Sequence, residues 1–188
     1  NLAHGDIMMM GAYAGYFVLV AMGHTPIGFC VAMFVAMTFC AVLGISIERL
    51  AYRPLRNAPR LNSLITAIAV ELILQNLMRV LPFVGPNPRQ FPTVQVEPIV
   101  IGSVTIDGIK ALVIIGSFLL MLALSFLVNY TKTGKAMRSV SYDMAASSLM
   151  GINVNKTIAI TFAIGSILAG AGGMLYATAY PIIDPMMG

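Results

Sequence analysis

Apolar residues gather into five long stretches, Ile7 to Met22, Ile27 to Ile47, Leu61 to Pro82, Ala111 to Val128 and Thr157 to Tyr176, with polar residues between them. Of the eighteen Asp, Glu, Lys and Arg residues, only Glu71 and Arg79 fall inside a stretch. At about 1.5 Å of rise per residue, most of these stretches cross an apolar layer of about 30 Å as helices. The pattern predicts an all-α polytopic membrane protein with about five transmembrane helices in a single domain over residues 1–188. The first stretch reaches only about 24 Å, which leaves a full crossing, a tilt, a break and a re-entrant course all open.

Composition removes the soluble alternative: 10% of residues are charged, against about 25% in soluble domains. The net charge of +4 does not mark a nucleic-acid binder, because the basic residues lie in short links beside apolar spans, where they set topology. Arg49, Arg53, Arg56 and Arg60 sit in one link, and Lys132, Lys135, Arg138 and Lys156 in another. Both links are predicted to be cytoplasmic. The segment 83–110 holds only Arg89 and Lys110, and Gly23-His24-Thr25-Pro26 holds neither Lys nor Arg, so both are predicted to face outward.

Each of the two longer links carries its own structure. In 83–110, Gly85-Pro86-Asn87-Pro88 is turn-rich, and Ile99-Val100-Ile101 and Val104-Thr105-Ile106 flank Gly102-Ser103, which predicts a small extracytoplasmic β-hairpin. It serves either as a cap on the helices or as a docking surface. In 129–156, Met137, Val140, Met144 and Ala145 recur at helical spacing after Gly134, and Gly151 provides a stop. One or two short helices on the membrane surface are predicted there, either covering the bundle or projecting an apolar knob towards a cytoplasmic partner.

Glu71, Gln75 and Arg79 share one face of the third stretch, with Asn76 beside them. A charge at this depth costs at least about 2.5 kcal/mol, so the face is predicted to avoid lipid. It either lines a translocation path or is satisfied by neighbouring helices. Gly11 and Gly15 form one close-packing pair, and Gly165, Ala169, Gly173 and Ala177 repeat every four residues in the last stretch. These mark helix contacts, within the chain or between subunits.

The remaining chemistry is sparse. Cys30 and Cys40, about 15 Å apart on one helix, are too distant for a disulfide. His4 and His24 have no ligand cluster around them, so no metal site is predicted. Thr133-Gly134-Lys135-Ala136 lacks the Gly and the hydroxyl residue of a phosphate-binding loop. No nucleophile elbow or carboxylate pair appears, and the chain reads as a non-enzyme without a bound cofactor.

Four ordered motifs go further. They are Asn1-Leu2-Ala3-His4-Gly5-Asp6 leading to Met10-Gly11-Ala12-Tyr13, the junction Ile47-Glu48-Arg49-Leu50-Ala51-Tyr52-Arg53-Pro54-Leu55-Arg56, Leu64-Ile65-Thr66-Ala67-Ile68 before Leu74-Gln75-Asn76, and Thr133-Gly134-Lys135-Ala136-Met137-Arg138 before Leu149-Met150-Gly151-Ile152-Asn153. Together they resemble the permease subunit of branched-chain amino-acid ABC importers from end to end. The resemblance implies a bacterial inner-membrane protein that pairs with a second permease, two cytoplasmic ATPases that use the ATP, and an extracytoplasmic substrate-binding protein. It makes 129–156 the coupling segment, with Gly134, Lys135, Met137, Arg138, Asp143 and Gly151 as candidate coupling residues. It also implies further spans on both sides of 1–188, so the chain is expected to be a fragment. Importers of urea or short amides have related permeases, which leaves the substrate open. An ion-coupled carrier using Glu71, and a non-transporting scaffold joined through its glycine faces, are the alternatives from other classes.

Overall fold

The computed structural model describes residues 4–23, 25–56, 58–92, 98–101 and 104–188. Its long helices are α1 (His4–Met22), α2 (Pro26–Ile47), α3 (Arg60–Val80), α4 (Gly108–Tyr130) and α7 (Val154–Ala179). All five are long and apolar enough to cross a membrane, in the order of the five apolar stretches. Two short helices, α5 (Lys132–Tyr142) and α6 (Met144–Leu149), fill the link before α7.

Most helices begin a few residues before their apolar stretch, because the capping groups are polar. The side chains of Thr25, Asp107 and Asn153 accept N–H bonds at the starts of α2, α4 and α7, from Gly28, Ile109 and Lys156, each at 3.0 Å. At the other end of α3, Leu81 turns extended ahead of Pro82, as a residue before proline must. The end of α2 is less regular. It runs on through a π-helical turn, Glu48–Tyr52, and a 3-10 turn, Arg53–Leu55.

The centre of the molecule is a three-helix seam of α1, α2 and α7 built on small residues. On α2 the buried positions Gly28, Ala32, Ala36, Cys40 and Gly44 recur every four residues, one face of the helix. A side chain at Gly170 would lie 2.8 Å from the Ala36 carbonyl oxygen, and one at Gly44 would overlap the Ser166 hydroxyl. One at Gly11 would lie 2.6 Å from the Gly170 Cα, and one at Gly173 would run into the Met8 carbonyl. With no water to expel inside a bilayer, this backbone proximity supplies the dispersion contacts that hold the helices together. Gly11, Gly15, Ala169 and Gly173 therefore pack within the chain, whereas Gly165 faces open space.

The other two spans lie outside this seam. α3 buries Ala67, Val70, Leu74 and Met78, a single stripe, and leaves Leu64, Ile65, Ile68, Leu72 and Ile73 exposed. α4 buries only Gly108 and meets α7 where Gly116 faces Leu175.

The two basic links meet at one end of the bundle, where Arg56 donates to Asn155. At the opposite end β1 (Arg89–Gln90) pairs antiparallel with β4 (Ile182–Ile183), and Arg89 packs over the ring of Tyr16 at 5.8 Å. The hairpin is present as β2 (Ile99–Ile101) and β3 (Val104–Ile106), paired Ile101 to Val104 across two residues. Gly102-Ser103, like His24 and Asn1-Leu2-Ala3, lies outside the described residues.

Candidate translocation path and coupling surface

A buried polar cluster forms where α1 begins. Asp6 lies in the first turn of α1, where a carboxylate faces the positive end of the helix dipole, and it is 1% exposed. Gln75 bridges two carboxylates: its Nε2 donates to Asp6 Oδ1 at 3.1 Å and to Glu71 Oε1 at 3.5 Å. The following chain returns to this point, since Gly188 packs directly on Asp6.

The contacts also place it between the two ends of the spans. Gln75 stands about 22 Å along α3 from Arg60. The Cys40 thiol donates to the Ile7 carbonyl at 3.4 Å, about 10 Å along α2 from Ile47. The first turn of α1 therefore lies within the layer crossed by α2, α3 and α7, away from both basic links. Neither carboxylate is paired with a Lys or Arg among the described residues, and acidic side chains inside a span mark a candidate functional site.

The structure brings together Glu71 and Gln75 and separates the other two predicted path residues from them. Asn76 is exposed and returns its amide to the Leu72 carbonyl of its own helix at 2.7 Å. Arg79, half-buried in the last turn of α3, makes no hydrogen bond or ion pair among the described residues. Asp6 is the member the apolar pattern hides. It precedes the first apolar stretch by one residue and reads as loop, yet it is enclosed in the helix.

The second candidate surface is the α5–α6 pair. Gly134 sits in a tight joint between α4 and α5, where any side chain would strike the carbonyl oxygens of Leu127 and Val128. Thr131 accepts from Gly134 N at 3.0 Å and so caps α5. Asp143 caps α6, accepting from Ala145 N at 2.8 Å and Ala146 N at 3.0 Å, and the Ser139 and Ser147 hydroxyls join the two helices at 2.7 Å. Gly151 takes φ +81, and the bonds Gly151 N to Ser148 O and Ile152 N to Ser147 O, both 3.0 Å, form a Schellman stop.

Of the candidate coupling residues, Gly134, Asp143 and Gly151 thus shape the backbone, Lys135 and Arg138 are exposed, and Met137 is half-buried. The large apolar residues that stand out furthest are not among those candidates: Tyr142, Leu149 and Met150 are 96%, 89% and 82% exposed. A second buried charge, Glu48, is 1% exposed and pairs with Arg56, which ties the α2 extension to Asn155 at the start of α7.

Comparison with known proteins gives a consistent result. The family described as branched-chain amino acid transport system / permease component matches residues 1–188. The high-affinity branched-chain amino acid transport system permease protein LivH of Escherichia coli is 35% identical over 100% of this chain and 64% of its own length. The corresponding protein BraD of Pseudomonas aeruginosa is 33% identical with the same coverage. A probable branched-chain amino acid transport permease protein of Methanocaldococcus jannaschii is 30% identical over 93% of this chain and 56% of its own length. The chain thus spans about 64% of the length of the first two relatives. No solved structure matches it.

Proposed function

The chain belongs to the permease-component family of branched-chain amino acid transport systems, and from that premise we propose that it is the membrane-spanning part of an ATP-driven importer of branched-chain amino acids in the cytoplasmic membrane. The observation that carries this reading is the extent of the match, which runs through all 188 residues, links as well as spans. A second permease subunit, two cytoplasmic ATPases and an extracytoplasmic binding protein complete the machine. ATP is consumed by the partners, and this chain performs no covalent step.

In the mechanism, the α5–α6 pair receives motion from the ATPases and passes it to α4 and α7 as rigid units. The Asp6–Gln75–Glu71 cluster is the polar station of the path. Its two carboxylates suit the ammonium group of an amino acid crossing a largely apolar layer. Lipid surrounds the exposed faces of α3 and α4.

The test is uptake of radiolabelled leucine by proteoliposomes that hold the full-length chain, its partner permease and the ATPases. Uptake that requires both ATP and the binding protein is expected. Uptake without ATP would overturn the importer reading in favour of a carrier. ATP hydrolysis stimulated by urea or a short amide but not by leucine would replace the substrate and keep the machine.

A further inference from the structure

The largest group of uncommitted charge lies at the cytoplasmic end, apart from the polar cluster and the α5–α6 pair. A cavity of about 430 Å³ opens between the end of α2, its π-helical extension and the start of α7. Arg49, Arg53 and Lys156 stand at its cytoplasmic rim together with Asn155, and Ile45, Ile160 and Ala163 form the wall that runs into the span. Ala163 is about 10 Å deeper along α7 than Lys156. The cavity also touches Glu48, but that carboxylate is already paired with Arg56. The three rim cations are exposed, and among the described residues their side chains make no hydrogen bond or ion pair. The N-terminus of α7 adds the positive end of its dipole to the same place.

We propose that this cavity binds an anionic phospholipid of the cytoplasmic leaflet, with its phosphate held by Arg49, Arg53 and Lys156 and the start of one acyl chain along Ile45, Ile160 and Ala163. The change of lining with depth argues for a lipid. A free phosphate has no use for an apolar wall inside the span, and a soluble protein partner does not reach it. Basic pockets at the cytoplasmic ends of membrane helices match lipid headgroups in charge and height. A bound lipid would join the α2 extension to α7 beside the Glu48–Arg56–Asn155 tie.

The inference does not rest on the importer reading, and its test is separate. Native mass spectrometry of the full-length chain, titrated with phosphatidylglycerol and with phosphatidylcholine, is expected to show at least tenfold tighter binding of the anionic lipid. Arg49→Gln with Arg53→Gln removes that preference, Arg49→Lys with Arg53→Lys restores part of it, and Lys110→Gln at the opposite end leaves it intact. Equal binding of the two lipids, or an unchanged preference in the glutamine variant, would overturn the proposal. Full displacement by millimolar inorganic phosphate would make the cavity a soluble-anion site instead. Loss of ATPase co-purification in the glutamine variant with lipid preference retained would assign the arginines to a protein partner and also overturn it.

Discussion

Asp6 is a buried carboxylate in the first turn of α1, and it is held there by Gln75 alone among the described side chains. A structural carboxylate and a ligand-binding one differ in what its neutral isostere does. Asp6→Asn keeps the volume and a bond to Gln75 while removing the negative charge that would meet an ammonium group. A hydrogen bond to a charged group is worth about 1.5–3 kcal/mol, so leucine uptake by the proposed importer, once reconstituted, is expected to fall about 10- to 100-fold, with unchanged assembly by size-exclusion chromatography. Uptake at the level of the unaltered protein would remove Asp6 from the path. The sequence points to the α3 half of this site, because Glu71 and Gln75 are polar residues at helical spacing inside an apolar run. It conceals the α1 half, because a carboxylate in a helix's first turn looks like a loop residue until the helix is seen to start inside the layer. Asn76 shows the converse. It is adjacent to Gln75 in sequence, but one residue turns a side chain by about 100° on a helix, and Asn76 points away.

The spans are legible as elements because apolar runs of this length have no other stable use, and their ends are blurred because caps are polar and fall outside the runs. The seam was only half legible. The glycines of α1 and α7 suggest close packing, whereas its α2 side, Gly28, Ala32, Ala36, Cys40 and Gly44, mixes residue types and shows its four-residue period only once Cys is counted as small. Whether such a stripe is internal or faces another subunit depends on what lies opposite, and for Gly173 that is the Met8 carbonyl. Gly173→Leu must therefore force α1 and α7 apart. Overpacking of this kind costs about 1–3 kcal/mol, and a lower thermal midpoint of the purified chain is expected. Gly165→Leu, with nothing within 4 Å of the added carbon, is expected to leave that midpoint in place. Equal effects of the two substitutions would show that helix propensity, and not the close approach, governs both.

In the whole molecule, the α5–α6 pair is the link that joins α4 to α7. It leaves α4 through a joint only glycine fits and enters α7 through the Gly151 stop. Its tip is apolar: Tyr142, Leu149 and Met150 are nearly fully exposed at the end that carries the basic links. Exposed side chains of this size are poorly matched to water and well matched to a groove in a partner, in the manner of an interface anchor. Leu149→Glu with Met150→Glu alters side chains that are 89% and 82% exposed, so insertion and folding of the chain are expected to be unaffected. If the tip is the ATPase contact, loss of an anchor worth at least about 2 kcal/mol lowers ATPase co-purification roughly 30-fold and abolishes ATP-dependent uptake. Arg138→Glu, on the exposed face behind the tip, is expected to weaken association less and in a salt-dependent way, because a rim charge acts mainly on encounter. Undiminished co-purification of the double variant would move the ATPase contact to another cytoplasmic surface and leave the apolar tip to the membrane, where Leu149 and Met150 would lie in the headgroup layer.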